Sequence, residues 1–430
     1  MKILIKNGHV IDPANGIDEV ADIFISDGVI TDIGENSELD GVDMKIIDAT
    51  GKVVAPGLVD MHVHLREPGQ EYKETIETGT RAAIAGGVTS VACMPNTEPV
   101  CDNETVVRYI KERAKEAGYA NVFPVGSVSK GLEGKYLSEI GQMAFEGAVA
   151  ISDDGRPVEN SALMRRAIEY SQMFDIPVIS HCEDMALGEG DMNEGAVASQ
   201  MGLRGISPAA EEVMAARDIL VAENLGARVH IAHISTKGTV ELIRQAKKRG
   251  VKVSCETCPH YFSLTEKACE GYNTNAKMNP PLRSDEDVQA IKEGLKDGTI
   301  DCIVTDHAPH HIDEKQCEFS LAKNGIVGLE TSLGLGIKEL VKTGVLTMSQ
   351  LIEKMSKTPA EILGISRGTL GVGHVADVVI FDPESKWTVD VNKFYSKGKN
   401  SPFDGFELYG KPEYVLVGGE ILINQGELMR

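Results

Sequence analysis

The sequence predicts an α/β protein, a (β/α)8 TIM barrel with a small composite β domain built from both chain ends. Eight short β-rich segments alternate with helical patterns after Pro56, and eight strand-helix units are typical of this barrel. Hairpin-like stretches open and close the chain. A length of 430 residues accommodates such a barrel with one small addition.

Both chain ends carry the alternating apolar and polar residues of β-hairpins. KILIKNGHVID and ADIFISDGVITDIG occur near the N terminus, and GHVADVVIFDPE and YVLVGGEILINQGE occur near the C terminus. Because the two ends of a chain often lie close together, we expect residues 1–55 and 364–430 to form one β domain. The barrel is then expected to span residues 56–363.

The barrel itself is predicted from the change of periodicity after the first hairpins. Segments such as SALMRRAIEYSQMF and TVELIRQAKKRG place apolar residues at helical spacing between the β-rich runs. The eight predicted strands are residues 58–64, 88–94, 121–127, 148–152, 177–181, 228–233, 251–256 and 301–305.

Composition limits the classes of function. The formal net charge of −22 argues against nucleic-acid and anionic membrane surfaces, because both require clustered Lys and Arg. No apolar run approaches the ~20 residues of a membrane helix, and MKILIKNGHVID is unlike a signal peptide. Eight scattered cysteines favour a reducing compartment. We therefore expect a cytoplasmic protein that acts on a small molecule.

The segment CETC contains Cys255 and Cys258, which could be half of a zinc site or a redox pair. A zinc site requires a second Cys or His pair at suitable spacing, and a redox motif should open a helix. Neither is visible in the sequence, so we favour a structural role for both cysteines.

Five predicted strands deliver His or Asp at their C-terminal ends, where barrel enzymes place their active sites. On the first strand, alternation puts Asp60, His62 and His64 on one face and Met61 and Val63 on the other. Burying several imidazoles and carboxylates together is unfavourable unless a cation organises them. The residues that could bind it are His62, His64, Asp153 or Asp154, His181, His233 and Asp306.

This mixture of imidazole and carboxylate suits Zn²⁺ first, with manganese, cobalt or iron as alternatives. Four His and two Asp exceed the needs of one tetrahedral ion, so a pair of ions bridged by a carboxylate is favoured over one. Such a site lowers the pKa of bound water and polarises a carbonyl, which predicts hydrolysis at carbon.

Alternation along the strand cannot choose between Asp153 and Asp154 as the bridging carboxylate. We expect Asp60 to orient a neighbour or close a turn.

The motifs DMHVHLREPG, MPNT, SDDG, SHCED, AHIS, ETCPHY, MNPPLR and TDHAPH resemble those of dihydroorotases of the longer bacterial type, within the amidohydrolase superfamily. The resemblance covers residues 1–430. It implies a zinc-dependent cyclic amidohydrolase of pyrimidine (UMP) biosynthesis. The implied reaction is the reversible hydrolysis of (S)-dihydroorotate to N-carbamoyl-L-aspartate.

The resemblance also implies roles for individual residues. Asp306 matches the residue that binds metal and acts as the general base. The implied metal ligands are His62 and His64 for one ion, His181 and His233 for the other, Asp154 as the bridge, and Asp306. The implied substrate-binding residues are His64, Arg66, Asn96, Asn279, His310, Asn324 and Gly325.

Physical chemistry supports part of this substrate set. Arg66 offers a planar fork of donors suited to a carboxylate, and its alternative is a surface ion pair with Glu67 or Glu71. Asn96 and Asn279 can complement the donors and acceptors of a ring, although both are flanked by prolines and could instead form turns. At the position of Asn324, relatives more commonly carry a hydrophobic residue.

Two other functions are weighed against this one. Hydantoinases and allantoinases are similar, but hydantoinases usually carry a carboxylated lysine at the end of the fourth strand, where this chain has ISDDG. A non-catalytic scaffold subunit for aspartate transcarbamoylase would not need the ligands that this chain keeps. A homodimer and an association with aspartate transcarbamoylase are both compatible with the sequence, which decides neither the oligomeric state nor a stable partner. The stretch HAPHHIDEKQCEFSLAKNG is interpreted as a lid over the site or as a plain long loop.

Overall fold

The computed structural model describes residues 2–34 and 44–429. Its N-terminal part contains five strands of a mixed sheet. These are β1 (Lys2–Asp12), β2 (Ile17–Ser26), β3 (Val29–Gly34), β4 (Lys45–Asp48) and β5 (Val53–Pro56). The alternation in the sequence is visible in the structure, because Ile3, Ile5 and Ile23 are fully buried in the core of this sheet.

Eight parallel strands follow, and they close into the predicted barrel. Parallel bridges from Ile151 to Val178 and from Val63 to His307 join the two four-stranded halves. The α/β barrel with a separate β domain is therefore confirmed. The barrel strands are β6 (Leu58–Val63), β7 (Val88–Cys93), β8 (Asn121–Gly126), β9 (Ala150–Ile151), β10 (Ile179–Ser180), β13 (Val229–Ile231), β14 (Val253–Thr257) and β15 (Cys302–Ile303).

The connections between the barrel strands contain the predicted helices. They also contain one short two-stranded ribbon that the sequence analysis did not predict, which is formed by β11 (Met192–Asn193) and β12 (Gly205–Ile206). The helices are α1 (Ile76–Ala85), α2 (Glu104–Ala117), α3 (Ile140–Glu146), α4 (Ser161–Ser171), α5 (Ala196–Met201), α6 (Ala209–Leu225), α7 (Lys237–Lys248), α8 (Pro259–Ser263), α9 (Asp285–Asp297), α10 (Ile312–Lys315), α11 (Ser332–Gly336), α12 (Met348–Ile352) and α13 (Thr358–Leu363). In the described part of the chain, no helix is long and apolar enough to cross a membrane.

Side chains from six barrel strands fill the barrel interior in one apolar cluster. They are Met61, Ala92, Val125, Ala150, Ile179 and Cys302. Val63 belongs to a different cluster, which lies between the strands and the surrounding helices. The pairing of β6 with β7 is irregular between Asp60 and Val63, so the strict alternation predicted for the first strand does not hold. Such bulges are common beside active sites, where they redirect a side chain.

Four C-terminal strands complete the sheet begun by β1–β5. They are β16 (Val378–Phe381), β19 (Pro412–Val417), β20 (Glu420–Asn424) and β21 (Glu427–Leu428), and β17 (Lys386–Thr388) and β18 (Glu407–Tyr409) lie between β16 and β19 in the sequence. β16 pairs with β5 on one side and β19 on the other, so the described residues of both chain ends form one nine-stranded sheet. β17 and β18 form a separate ribbon. The domain boundaries at residues 55 and 363 stay a proposal.

The CETC segment differs in part from the prediction. Cys258 is the residue before α8, a short helix that begins with Pro259. Burial raises the pKa of the Cys255 and Cys258 thiols, which disfavours the reactive thiolate. All eight cysteines of the chain are free thiols.

Candidate active site

Six polar side chains converge at the C-terminal end of the barrel, and all are buried. His62 lies on β6 and His64 directly follows it. The other four follow the ends of their strands: Asp154 after β9, His181 after β10, His233 after β13 and Asp306 after β15. The barrel topology thus brings together residues that are far apart in sequence.

Asp154 lies at the centre of this cluster and contacts all four imidazoles. Its Oδ1 lies 3.3 Å from His62 Nε2 and 3.4 Å from His233 Nε2. The same oxygen is 3.6 Å from His181 Nδ1, while Oδ2 is 3.4 Å from His64 Nε2. One carboxylate therefore faces four ring nitrogens, three of them at Oδ1 and one at Oδ2.

Asp153 points elsewhere. Its Oδ1 accepts hydrogen bonds from the backbone N–H groups of Val128 (2.8 Å) and Ser129 (3.0 Å). The Ser129 hydroxyl donates to its other oxygen. Asp153 thereby anchors the loop after β8, and of the two neighbouring aspartates only Asp154 contacts the imidazoles.

The donor atoms fit a divalent cation. The ligand atoms of His62, Asp154 and His233 lie within 4.8 Å of one another, as do those of His62, His64 and Asp306. His62 Nε2 and Asp154 Oδ1 are buried without a hydrogen-bond partner. Because buried polar atoms are normally paired, these two orphaned atoms, 3.3 Å apart, mark a place where a cation would satisfy both.

Electrostatics at the cluster favour positive charge. Burial alone would favour the neutral acid, but the charge of His62 and the close approach of the His181 and His233 rings hold the pKa of Asp154 well below its usual range. Burial likewise opposes protonation of His62, but the charges of Asp154, Glu256 and Asp306 raise its pKa well above 6.5. The carboxylates therefore stay ionised and attract a cation.

Three of the four imidazoles are oriented by a hydrogen bond from their other ring nitrogen. His62 Nδ1 donates to Glu256 Oε1 (2.5 Å) and His181 Nε2 donates to Glu183 Oε2 (3.2 Å). His64 Nδ1 donates to Asn96 Oδ1 (2.9 Å). Sequence reasoning missed Glu256 and Glu183, although both stand at strand ends beside residues that it had singled out.

His230 contacts Glu256, the carboxylate that orients His62. Glu256 is fully buried, and its second oxygen lies 3.1 Å from His230 Nε2. His230 Nδ1 is in turn 2.8 Å from the Ser254 hydroxyl. Asp60 accepts hydrogen bonds from the backbone N–H groups of His62 (3.1 Å) and Thr305 (3.1 Å), which ties the first barrel strand to the last.

A cavity of about 200 Å³ opens beside the cluster. Arg66 lines it from a left-handed backbone conformation (φ 61°) and is buried. Its Nε donates to the Pro309 carbonyl (3.2 Å), whereas Glu67 pairs with Arg113 (2.8 Å). The other lining residues are His64, Asn96, Asp154, Gly155, His181, His233, Met278, Asn279, Asp306, Ala308, His310 and Asn324.

The remaining predicted substrate residues occupy different positions around this cavity. Asn279 Nδ2 donates to Glu183 Oε2 (3.0 Å), and His310 Nε2 donates to the Asn324 carbonyl (2.8 Å). Gly325 does not line the cavity, and its N–H donates to the Lys277 carbonyl (2.9 Å). A Cβ at Gly325 would lie 2.5 Å from the Ala308 carbonyl oxygen, so close approach requires glycine there.

The long segment after Asp306 is braced by two buried lysines. Lys315 Nζ donates to the carbonyls of Lys323 (2.7 Å) and Gly325 (3.2 Å). Lys277 Nζ donates to the Phe319 carbonyl (2.6 Å). These bonds order the segment between α10 and Gly325, and its movement as a lid stays a prediction.

The chain is similar over its length to known proteins. The family model described as "Dihydro-orotase-like" matches residues 51–239. A dihydroorotase of Acetivibrio thermocellus is 60% identical over 428 residues, covering 99% of this chain and 100% of that protein. A dihydroorotase of Ruminiclostridium cellulolyticum is 58% identical over 430 residues, covering 100% of both. Among solved structures, the L-hydantoinase (dihydropyrimidinase) of Arthrobacter aurescens superimposes with a TM-score of 0.89 at 29% identity, covering 100% of this chain and 97% of that one.

The barrel, the imidazole and carboxylate cluster and the cavity beside it define a barrel amidohydrolase of the cyclic-amide class. The fold alone is shared with hydantoinases, but the full-length identities are higher for another branch of the class. The chain belongs to the dihydroorotase family, and the resemblance of its motifs is confirmed.

Proposed function

We propose that the protein catalyses the reversible hydrolysis of (S)-dihydroorotate to N-carbamoyl-L-aspartate in the cytoplasm, as a step of pyrimidine biosynthesis. The observation that carries this proposal is the juxtaposition of the Asp154-centred cluster with a small cavity that contains a buried arginine. The cluster suits a metal-dependent attack on an amide carbonyl. The arginine suits a substrate that carries a carboxylate.

The residues proposed to hold the metal are His62, His64, Asp154, His181, His233 and Asp306. Zn²⁺ is the ion proposed, and two ions are favoured over one, because a bridging carboxylate and four imidazoles exceed one tetrahedral set. When bound, such cations polarise the substrate carbonyl and acidify water. The protein contributes the fixed orientation of the imidazoles and a buried setting.

Asp306 is proposed as the general base. Burial opposes its ionisation, but the charge of His62 and the hydrogen bond and charge of His64 lower its pKa below 3.8. Its Oδ1 lies 3.1 Å from His64 Nε2, at the edge of the cavity. An ionised carboxylate here accepts the proton of the attacking water and returns it to the departing ring nitrogen.

Arg66 is proposed to bind the substrate carboxylate. Burial, together with the charges of Arg66, Lys73 and Lys315, lowers the pKa of His310, so the imidazole is neutral and the positive charge at this part of the cavity belongs to Arg66. Asn96 accepts a hydrogen bond from His64 through Oδ1, which leaves its NH₂ group to donate to a substrate oxygen. Asn279 donates to Glu183, which leaves its Oδ1 to accept from a ring N–H. His64, His310 and Asn324 complete the proposed substrate set. Gly325 is proposed to contribute through close backbone approach only, because its N–H donates to the Lys277 carbonyl and its own carbonyl accepts from Lys315 and Asn400.

One preparation of the protein tests the proposal. Its metal content is measured, and its turnover of dihydroorotate, hydantoin and allantoin is compared. The proposal requires zinc and a marked preference for dihydroorotate. A preference for hydantoin or allantoin would favour the alternative cyclic amidohydrolases. Metal binding without turnover of any of the three substrates would favour a scaffold.

Sedimentation with and without aspartate transcarbamoylase tests the proposed homodimer and the proposed association.

A further inference from the structure

The segment between β17 and β18 returns from the composite sheet to the active-site end of the barrel. Within it, Asn400 is 3% exposed, and its side chain makes three hydrogen bonds to backbone groups. Its Oδ1 accepts from the N–H of His310 (3.0 Å). Its Nδ2 donates to the carbonyls of Ala308 (2.9 Å) and Gly325 (2.9 Å). One amide therefore joins two stretches of chain that flank the cavity.

The stretch held by Asn400 also positions Arg66. Pro309 lies between Ala308 and His310, and its carbonyl accepts the hydrogen bond from Arg66 Nε (3.2 Å). A Cβ at Gly398 would lie 2.7 Å from Pro309 Cβ, so the returning segment packs directly against this proline. A shift of residues 308–310 would therefore move the acceptor that fixes the guanidinium.

A second contact anchors the same segment beside Asp306. The Ser396 hydroxyl donates to Glu74 Oε2 (2.5 Å), and that oxygen lies 3.4 Å from His307 Nε2. The Lys397 N–H donates to the other oxygen of Glu74 (3.1 Å). Glu74 is fully buried, so the contact is shielded from water and holds residues 396–400 at a fixed place on the barrel.

We propose that Asn400 is a positioning residue for substrate binding, which acts by holding residues 308–310 and Gly325 around the cavity. The inference rests on the proposed function, because it takes Arg66 and His310 as substrate-binding residues. The polar side-chain atoms of Asn400 are all engaged with backbone groups. Its effect on substrate therefore passes through the loop and not through the metal ligands.

The test uses the full-length, metal-loaded protein with Asn400→Asp and Asn400→Ala. In Asn400→Asp the second carboxylate oxygen would face the carbonyls of Ala308 and Gly325 and repel them. Misplacing a binding group by about 1 Å can reduce activity ~100-fold, so we expect kcat/KM for dihydroorotate to fall by about this factor, mainly through KM. Metal content should be unchanged. Asn392→Asp is the matched control, because Asn392 is exposed on the same segment and bonds to Asp390 (3.2 Å).

Hydrogen exchange supplies a readout that does not require activity. In the Asn400 variants, amides of residues 306–327 should exchange faster, while those of β1–β5 should match the wild-type protein. If the Asn400 variants fail to fold, Gly398→Ala applies the same displacement through Pro309. Unchanged KM in an active enzyme, or unchanged exchange in residues 306–327, would overturn the inference. An inactive wild-type protein would instead overturn the proposed function, and exchange alone would then decide the role of Asn400.

Discussion

Replacing Glu256 with Gln is expected to weaken binding of zinc at the proposed metal site about tenfold. Glu256 accepts hydrogen bonds from two imidazoles, at 2.5 Å from His62 Nδ1 and 3.1 Å from His230 Nε2. Although burial opposes its ionisation, the charge of His62 and the hydrogen bonds from His230 and His62 lower the pKa of Glu256. Glutamine keeps the shape but offers one acceptor oxygen, so one imidazole N–H loses its partner.

The magnitude follows from what the carboxylate does for His62. Loss of a partner to a metal-binding His typically reduces metal affinity ~10–100-fold, or roughly 1.4–2.7 kcal/mol. Glu256→Gln belongs at the lower end of this range because one hydrogen bond survives. Glu256→Ala belongs at the upper end, because both hydrogen bonds are lost and a buried cavity forms.

Zinc affinity is measured by competition with a chelator, and thermal unfolding of the metal-free protein reports the stability of each variant. Asp377→Asn is the control, because Asp377 is a buried carboxylate at the opposite end of the barrel, where it accepts from the Gly418 N–H (2.7 Å). Wild-type zinc affinity in a folded Glu256→Gln protein would refute the reasoning. Equal losses in Glu256→Gln and the control would attribute the effect to general destabilisation.

Three further predictions concern the catalytic cluster and the cavity. Asp306→Asn should keep most of the metal but lose turnover ~10²–10⁴-fold, because an amide cannot accept the proton; near-native rates would exclude Asp306 as the base. Arg66→Met should raise KM for dihydroorotate by an amount worth about 1.5–3 kcal/mol, with partial recovery in Arg66→Lys. Steady-state kinetics in both directions measure this, and loss of metal at unchanged KM would assign Arg66 to ligand support. Burial opposes protonation of His181, but the adjacent carboxylate of Asp154 and the hydrogen bond to Glu183 outweigh it and raise the pKa of His181 to about 10. Because metal must displace that proton, apparent zinc affinity should rise as pH increases toward this pKa, and a flat pH profile would contradict the assignment.

Much of the fold could be predicted because barrel strands are short, buried and regularly spaced. The eight barrel strands and the pairing of both chain ends follow from periodicity and turn signals. The irregularity in β6 and the short helix α8 could not be found this way, because both depend on neighbouring strands and loops. A bulge shifts the register by one residue without changing composition.

The residues of the candidate site could be predicted where a polar residue ends a strand. The hydrogen bonds that orient these residues from another strand of the barrel could not. His62 and Glu256 are 194 positions apart, and no local pattern pairs β6 with β14. The difference between Asp153 and Asp154 depends on two backbone N–H groups after β8. The proposed role of Asn400 could not be predicted from the sequence, because Asn400 lies in residues 364–430, which the hairpin pattern assigns to the β domain.

The pairing of β5 with β16 has a consequence for biosynthesis. Pro56 and Val378 are opposite one another in the paired strands, yet roughly 320 residues of nascent chain separate them. At about 5–20 residues per second the ribosome therefore needs roughly 16–64 s to deliver the second strand. Throughout that interval β5 is an open edge, with unpaired N–H and C=O groups able to recruit another nascent chain. Yield on translation or refolding should therefore fall with rising chain concentration, and a chaperone that shields this edge should restore it.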